Sequence, residues 1–367
     1  MRIGIDLRMI GGGSGIDRYL TELTHEVLKL DKTNQFVLFF RDANKSAPFQ
    51  AYGHKIVVAD IAHYSLAEQL RLPRILNKEN LDLVHFPHFN VPIFYRKPFV
   101  LTIHDLTHTL FPGKKMSRIF HRLAYHLVFN SAILHARKII AVSESTKKQI
   151  LERFGIDSDK ITVIYEGFSQ VYKMMDKQEA FAAVSQKFGI TKPYLLYVGV
   201  WRRYKNLPML AQAFDKLIAK GLDLQFVIAG QPDDFYPEIK DQIFAIKNSS
   251  KIKAVGKVTD EDLKLLYNGA NLFVLPSLME GFGLTALEAA GCGVPVACSD
   301  IATLREIMGQ GAEYFDPESL GNMVDVLYNL LTDPKQLEEL ANLGLSRSKH
   351  FSWSDAAEKT LNLYQAL

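Results

Sequence analysis

The sequence predicts an α/β protein with two doubly wound domains, and three observations support that fold class. Short, almost wholly apolar runs alternate with helical segments from the first residues onward, which is typical of parallel strands buried on both faces of a sheet. The alternation stops near residue 168 and resumes near residue 192. The chain has 367 residues, 48% of them apolar and 23% charged, which fits two cores of a globular enzyme.

Apolar runs in each half are the predicted strands. They are RIGIDL, FVLFF, KIVVAD, LDLVHF, FVLTIHD and KIIAVS in the first half, and YLLYVGV, LQFVIAG, IKAVGKV, NLFVLPS and VPVACSD in the second. Helices are predicted for GIDRYLTELTHEVLKL, STKKQILERFG, LTALEAAG and the final segment FSWSDAAEKTLNLYQAL. Strand–helix alternation favours a doubly wound sheet in each half. We therefore expect domains over 1–168 and 169–350, followed by a helix over 351–367.

Charge is distributed unevenly between the two halves. Residues 1–168 hold 23 Lys and Arg against 16 Asp and Glu, a net charge of +7, and the remainder holds 20 against 24, a net charge of −4. A basic half predicts an anionic partner such as a membrane surface or a lipid phosphate, although ordinary surface lysines explain the charge equally well. We expect no nucleic-acid partner.

Targeting and redox features indicate a cytoplasmic protein. The N-terminus lacks a basic segment followed by a long apolar run, so a secretory signal is not expected. The chain has no uninterrupted apolar stretch of about 18 residues, so a spanning helix is not expected either. The two cysteines, Cys292 and Cys298, provide no disulfide framework.

A glycine-rich loop follows the first predicted strand. Gly11, Gly12, Gly13 and Gly15 do not form the G-x-G-x-x-G dinucleotide fingerprint. They would still let backbone N–H groups approach an anion at a helix N-terminus. Gly13 and Gly15 are therefore candidate ligand-binding residues, and a flexible turn is the simpler alternative.

Three histidines stand at predicted strand ends, where ligands bind in this architecture. His104 ends FVLTIHD and is a candidate catalytic residue, with a structural histidine as an equal alternative. His85 and His88 form an H-x-x-H pair in HFPHFN, but the lack of an acidic partner makes this weak evidence for a metal. We predict no metal site and no cofactor.

A basic turn follows the strand that ends at Gly199. Arg202, Arg203 and Lys205 come before the next helix. Arg offers a forked donor and Lys a compact charge, and both suit a diphosphate. If the reaction expels a nucleoside diphosphate, these cations would stabilise the charge that develops on it. The alternative is an ordinary solvated turn.

Two glutamates flank the glycines of MEGFGLTALEAAG. Glu280 falls in the loop after a strand, and Glu288 lies about one turn inside the following helix. The helix N-terminus near Leu284 and Thr285 is suited to a phosphate. A carboxylate inside the helix cannot share a proton with Glu280, and is better placed to accept hydrogen bonds from ribose hydroxyls. The sequence therefore predicts separate binding roles for the two glutamates.

Taken together, these motifs resemble the retaining glycosyltransferases of family four, which have the GT-B fold of two Rossmann-like domains facing a central cleft. The resemblance rests on E-x7-E from Glu280 to Glu288 with EGFG inside it, AGCGVPV after it, G-x5-K-N from Gly199 to Asn206, TIHD, and FSWSDAAEK. HFPHFN and VIYEGF resemble the bacterial mannosyltransferase branch that builds cell-surface polysaccharides.

The resemblance implies a nucleotide-sugar donor held by the second domain and an acceptor held by the first. The implied donor-site residues are His104 and Glu280 at the sugar, the backbone of Gly281, Phe282, Gly283 and Leu284, the phosphate ligands Arg202, Lys205, Leu284 and Thr285, Glu288 at the ribose, and Gly256 and Lys257 at the base. Val200 stands where an arginine often follows the glycine, and Tyr204 where Arg or Glu often precedes the lysine. Arg202 or Arg203 must then supply the cation, and Arg202 is favoured.

The expected activity is metal-independent transfer of a hexose with retention, with α-mannose from GDP-mannose as the leading donor. The acceptor would be a glycan or a lipid-linked saccharide. A UDP-sugar donor and a catalytically silent sugar-nucleotide-binding subunit are the alternatives. A glycoside hydrolase fits poorly, because its two carboxyl groups must stand about 5 Å apart at the scissile bond.

The segment 111–138 combines basic and aromatic residues and is predicted to be partly helical. It could rest on an anionic membrane and bring the enzyme to a lipid-linked acceptor. A sheet-covering helix with a basic solvent face is the alternative. The expected location is thus the cytoplasm, with peripheral contact at the inner face of the membrane.

Overall fold

The computed structural model of the chain describes residues 1–12, 15–107 and 119–367. These residues form two compact units. Unit 1 consists of Met1–Gly167 together with Ser352–Leu367, and unit 2 consists of Phe168–Phe351. The final helix therefore packs as part of unit 1.

Unit 1 is built on a seven-stranded sheet in which all neighbouring strands are parallel. Its strands are β1 (Arg2–Asp6), β2 (Gln35–Phe40), β3 (Lys55–Val58), β4 (Leu83–Phe86), β5 (Phe99–Ile103), β6 (Lys138–Ala141) and β7 (Ile161–Val163). The strand order is β3-β2-β1-β4-β5-β6-β7. Its α-helices are α1 (Gly15–Leu30), α2 (Leu66–Lys78), α3 (Ile119–His135), α4 (Glu144–Phe154) and α13 (Trp353–Gln365), and its 3-10 helices are Ala43–Tyr52 and Ser158–Lys160.

Unit 2 is built on a six-stranded parallel sheet. Its strands are β8 (Tyr194–Val198), β9 (Gln225–Ala229), β10 (Ile252–Gly256), β11 (Leu272–Leu275), β12 (Val296–Ser299) and β13 (Glu313–Phe315), in the order β10-β9-β8-β11-β12-β13. Its α-helices are α5 (Lys177–Phe188), α6 (Leu207–Ala219), α7 (Pro237–Phe244), α8 (Asp260–Gly269), α9 (Leu284–Gly291), α10 (Ala302–Met308), α11 (Leu320–Thr332) and α12 (Pro334–Ser348), and its 3-10 helices are Arg203–Lys205 and Ser249–Lys251.

The predicted fold class is confirmed, and the predicted strands all form. The central strands are buried along their whole length, as in Val296–Ser299 and Phe99–Ile103, which is why their sequences show no alternation of polar residues. Helix α1 spans the whole predicted segment Gly15–Leu30. Helix α9 spans the whole of LTALEAAG.

Strands β7 and β13 and helix α5 are among the elements that the sequence did not predict. Strands β7 and β13 have three residues each, too few for a periodic signal. The polar stretch between about 168 and 192, where the predicted alternation stops, contains α5. This helix begins at the N-cap Asp176, whose side chain accepts hydrogen bonds from two backbone N–H groups, and it buries Ala180 and Val184.

Each sheet has one place where the strand order reverses direction. In unit 1 this switch point lies between β1 and β4, and in unit 2 it lies between β8 and β11. Loops that leave neighbouring strands in opposite directions open a crevice at the carboxyl ends, where ligands of doubly wound sheets bind. The two switch points are therefore the places to look for a site in each unit.

The helical part of the segment 111–138 is α3, Ile119–His135; residues 111–118 lie outside the described residues. Within the described part of the chain, none of the helices is both long and apolar enough to cross a bilayer.

Candidate active site

The switch point of unit 2 brings together two predicted site residues from different loops. Lys205 follows β8, and Glu280 follows β11. The Lys205 Nζ donates to Glu280 Oε1 at 2.7 Å, and the two side chains are 16% and 12% exposed. Ser277 Oγ donates to the same carboxylate oxygen at 2.6 Å. Lysine and glutamate thus form a largely buried ion pair at the crevice.

Both members of this pair are held by their backbones. The N–H of Leu278 donates to the carbonyl oxygen of Tyr204 at 2.7 Å, which ties the two loops together one residue before Lys205 and two before Glu280. Burial alone would lower the pKa of Lys205, but the charge of Glu280 outweighs it and the pKa is raised. Lys205 is therefore a cation throughout the physiological pH range.

The glycines after Glu280 lead directly into α9. Gly281, Phe282 and Gly283 are buried, and the Phe282 ring packs edge-on against Phe351 at 5.6 Å. Gly283 is the N-cap at a φ of 95°, a conformation that favours glycine, and no side chain caps the helix. The first backbone N–H groups of the helix, at Leu284 and Thr285, carry its positive end. This helix start lies a few residues beyond Glu280 on the same loop.

Glu288 lies inside α9 and is only 2% exposed. Its Oε2 accepts a hydrogen bond of 2.9 Å from the hydroxyl of Tyr267 on α8. Tyr267 in turn packs edge-on against Tyr172, whose hydroxyl donates to Asp260 at 2.7 Å. The second glutamate is thus a positioned, buried acceptor.

The two arginines of the basic turn have different partners and different exposure. Arg202 Nε donates to Asp233 Oδ2 at 2.8 Å. Burial alone would lower the pKa of Arg202, but its hydrogen bond to Asp233 raises it. The Arg203 side chain is 65% exposed, bonds to Glu238 at 2.7 Å and lies over the Tyr236 ring. Arg203 is therefore engaged at the surface of α7.

The glycines at the ends of β8 and β9 keep that part of the crevice free of side chains. A Cβ at Gly230 would clash with the carbonyl oxygen of Gly199. Gly230 also donates its N–H to the carbonyl of Gly256 at 2.8 Å. Gly256 is the last residue of β10, the edge strand two positions from β8, and the exposed Lys257 follows it. The positions implied for the base are thus at the far end of the same sheet edge.

His104 lies at the end of β5 in unit 1, with both ring nitrogens engaged. Its Nε2 donates to the carbonyl oxygen of Pro87 at 2.9 Å, and its Nδ1 lies 2.9 Å from Glu166 Oε1. Burial alone would lower the pKa of His104, but the hydrogen bond and charge of Glu166 raise it. Tyr19 packs edge-on against the ring at 4.6 Å. His104 is therefore held at both ring nitrogens, and Glu166 favours its charged form.

The H-x-x-H histidines have different surroundings. His85 is buried, with Nδ1 2.6 Å from the Tyr364 hydroxyl and Nε2 2.8 Å from Thr102 Oγ1. His88 Nδ1 accepts from the N–H of Asn90 at 3.4 Å. No group of three or more metal-ligating side chains occurs among the described residues. Of the predicted glycines, Gly15 begins α1, whereas Gly13 lies outside the described residues.

Several residues of these sites were not anticipated from the sequence. Ser277, Asp233 and Tyr267 hold Glu280, Arg202 and Glu288, and Glu166 holds His104; these positions complete the polar contacts. Ser277 and Asp233 follow β11 and β9, so the strand-end rule could have found them. Glu166 follows the three-residue β7, and Tyr267 lies on a helix, so neither has a comparable signal.

Comparison with known proteins places this arrangement in a family. The model for glycosyl transferases group 1 matches residues 180–346, and the model for Glycosyltransferase Family 4 matches residues 13–169. O-antigen chain mannosyltransferase B of Escherichia coli is 28% identical over 379 residues, covering 96% of each chain.

Solved structures show the same fold. Sucrose-phosphate synthase from Thermosynechococcus elongatus superposes with a TM-score of 0.79 at 19% identity, over 100% of this chain and 98% of that one. Anabaena Alr3699/HepE in complex with UDP-glucose superposes with a TM-score of 0.79 at 16% identity, over 100% of both chains. The two parallel sheets, the pair of family matches and these structures together show that the chain belongs to the family-four, group 1 glycosyltransferases of GT-B fold.

Proposed function

We propose that the protein is a retaining α-mannosyltransferase that uses GDP-mannose, and that its acceptor is a glycan or lipid-linked saccharide of a cell-surface polysaccharide. The observation that carries the proposal is the buried Lys205–Glu280 pair at the switch point of unit 2. A cation for phosphate and a carboxylate for sugar hydroxyls stand there side by side, at the loop that leads into an uncapped helix start.

In this proposal the donor diphosphate binds Lys205, Arg202 and the N–H groups of Leu284 and Thr285. Glu280 accepts hydrogen bonds from the sugar hydroxyls, and Glu288 accepts them from the ribose. The buried position of Glu288 inside a helix argues against a hydrolase pair, because a nucleophile must reach the anomeric carbon. Arg202 is favoured over Arg203, which is exposed and bound to Glu238.

The reaction is one displacement at the anomeric carbon. The acceptor hydroxyl oxygen bonds to that carbon on the face from which the diphosphate leaves, while the bond between the carbon and the diphosphate oxygen breaks. A departing phosphate oxygen takes the hydroxyl proton, so the products are an α-glycoside and a nucleoside diphosphate. The protein contributes positioning and the stabilisation of negative charge by Lys205 and Arg202.

The donor assignment draws on the relative in Escherichia coli, which is named a mannosyltransferase. The Anabaena structure holds UDP-glucose, which supports a nucleotide sugar as donor and makes a UDP-sugar the specific alternative. Melting temperatures in the presence of GDP, UDP and ADP distinguish the two, because a nucleotide that binds the folded state stabilises it. We expect GDP to give the largest shift; a larger shift with UDP would refute the GDP-mannose assignment.

Product analysis tests the reaction class. Incubation with GDP-mannose and a mannoside acceptor should yield an α-linked disaccharide whose anomeric configuration NMR reports. Donor binding without transfer or hydrolysis would instead identify a silent binding subunit. Release of nitrophenol from a nitrophenyl mannoside would identify a hydrolase.

We further propose that unit 1 contacts the inner face of an anionic membrane through α3. Leu123, Leu127 and Leu134 on this helix are 56%, 56% and 64% exposed, and the first 168 residues carry the positive net charge of +7 (23 Lys and Arg, 16 Asp and Glu). Exposed leucines beside basic residues are typical of helices that lie in a membrane interface.

Sedimentation with anionic liposomes at low salt tests this contact. The exchange Leu127→Glu should reduce the bound fraction severalfold. The matched control is Leu66→Glu, at a position 82% exposed on α2. Equal binding of both variants and the parent would refute the assignment of α3.

A further inference from the structure

Unit 1 has a second buried ion network, located at its own switch point and not used by the proposed donor site. Arg8 follows β1 and is only 3% exposed. Its Nη2 donates to Asp6 Oδ2 and to Glu68 Oε1, both at 2.8 Å. Glu68, at the start of α2, is fully buried. This network therefore corresponds in position to the Lys205–Glu280 pair of unit 2.

The Glu68 carboxylate joins three loops at the switch point. Besides Arg8, it accepts hydrogen bonds at Oε2 from the Asn90 side chain at 2.6 Å and from the Tyr64 backbone N–H at 2.7 Å. Burial alone would raise the pKa of Glu68, but the hydrogen bond from His63 and the charge of Arg8 lower it. The loops after β1, β3 and β4 are thus fixed on one ionised carboxylate.

This network presents an aromatic ring at the surface. Tyr64 is 62% exposed and has a φ of 59°, an outlier for a bulky residue that persists only where the surroundings impose it. Its ring packs edge-on against His88 at 6.4 Å, and His88 packs on the buried Phe89 at 4.1 Å. An exposed ring on a rigid base, beside polar side chains, is suited to stack on the apolar face of a sugar.

The buried network adds no net positive charge next to Tyr64. Two carboxylates, Asp6 and Glu68, surround one guanidinium, so the buried network offers no surplus positive charge for a phosphate. Within the described residues, Arg8 Nη1 is a buried donor without a hydrogen-bond partner, which a buried water would satisfy. An exposed ring with no surplus positive charge beside it suits a neutral sugar better than a phosphate.

We propose that Tyr64, supported by Glu68, Asn90 and His88, forms the binding site for a neutral terminal sugar of the acceptor. The identification of this sugar as part of the acceptor rests on the proposed function, whereas the sugar-binding site itself does not. It narrows the acceptor to a chain that ends in an uncharged sugar at this position, and makes Glu68 a positioning residue.

Saturation-transfer NMR on the full chain tests the site directly. The probes are the methyl α-glycosides of mannose, glucose and galactose, with mannose 6-phosphate as the anionic comparison. We expect a signal from at least one neutral glycoside, retained in Tyr64→Phe and lost in Tyr64→Gly. Glycine relieves the positive φ while it removes the ring, so a folding defect does not explain the loss. Phe94→Ala, at a position 60% exposed in the same unit, is the matched control and should leave the signal unchanged.

The kinetic counterpart is a rise in the acceptor KM of roughly three- to tenfold in Tyr64→Gly, the range for one aromatic contact, with an unchanged melting shift by GDP. An unchanged signal in Tyr64→Gly, or a signal from mannose 6-phosphate with the same dependence on Tyr64, would overturn the inference. Glycoside binding at Tyr64 without any transfer would refute the proposed function and leave this site standing. If transfer occurs and the acceptor KM is the same in Tyr64→Gly as in the parent, the assignment of Tyr64 to the acceptor is refuted and the proposed function stands.

Discussion

Replacement of Lys205 by alanine tests the central assignment of the donor site. At 2.7 Å the attraction between Lys205 and Glu280 is about 6 kcal/mol for an effective dielectric constant of about 20. Desolvation of two largely buried ions offsets most of that gain, so the intact pair contributes little to the net free energy of unfolding. Removal of one partner is different, because the other charge stays buried without its counter-ion.

The expected loss in Lys205→Ala is about 3 kcal/mol in the free energy of unfolding, or about 6–12 °C in the melting temperature of a domain the size of unit 2. Turnover should fall by about a hundredfold or more, as when a single charge-stabilising donor is removed elsewhere. The assay is kcat and KM for GDP-mannose at a temperature where calorimetry shows the variant folded.

The matched control is Lys187→Ala. Lys187 pairs with Asp262 at 2.6 Å in the same unit, but its side chain is 55% exposed, so we expect a loss of at most about 1 kcal/mol and normal turnover. A turnover of Lys205→Ala close to that of the parent would refute the leaving-group role. A normal melting temperature would refute the reasoning about the buried pair.

Three further predictions concern the remaining polar contacts. Arg202→Ala should lower kcat about tenfold or more, whereas Arg203→Ala should change it less than about threefold. Steady-state kinetics with GDP-mannose measure both effects. Equal effects would contradict the assignment of Arg202 rather than Arg203 as the diphosphate ligand. Tyr267→Phe should raise the donor KM about tenfold, because a hydrogen bond to a charged carboxylate contributes about 1.5–3 kcal/mol; an unchanged KM would separate Glu288 from ribose binding. Burial, helped by the charge of His104, lowers the pKa of His85 to about 3, below its unfolded value near 6.5, so the neutral form stabilises the fold above pH 6.5. In urea unfolding, the contribution of His85 should therefore lower the free energy of unfolding by about 1.4 kcal/mol per pH unit from pH 6.5 down towards 3. The pH dependence of His85→Gln should be smaller by this amount.

The sequence was sufficient for the fold because buried parallel strands leave a strong local signal. The runs from Phe99 to Ile103 and from Val296 to Ser299 are buried throughout, and each could be recognised without its neighbours. Strand β7 could not, because three residues carry no period, and its pairing with β6 depends on contacts distant in sequence. Helix α5 was missed because few of its residues are buried.

The candidate site could be predicted from the sequence only in part. Sequence order placed Lys205 and Glu280 at strand ends, but only the strand order β8-β11 makes those ends neighbours. The separate roles predicted for the two charges did not anticipate that they bond directly. The network of Arg8, Glu68 and Asn90 gave no sequence signal, because its members come from two loops and the start of α2, which are joined by tertiary contacts alone.

The direct bond between Lys205 and Glu280 has a consequence for selectivity. A free anion gains less from Lys205 than from an unpaired lysine, because the carboxylate of Glu280 already neutralises the ammonium charge and takes one of its three N–H donors. Under the proposed function, a donor that brings phosphate and sugar together compensates both charges at once. The nucleoside diphosphate product would leave Glu280 without hydroxyl partners, and the carboxylate would compete with the phosphate for Lys205. On this proposal the site binds a ligand that carries both phosphate and sugar more tightly than it binds the nucleoside diphosphate alone, which favours release of the product. Product inhibition by GDP should accordingly become tighter in Glu280→Gln, and an unchanged inhibition constant would show that the carboxylate plays no part in release.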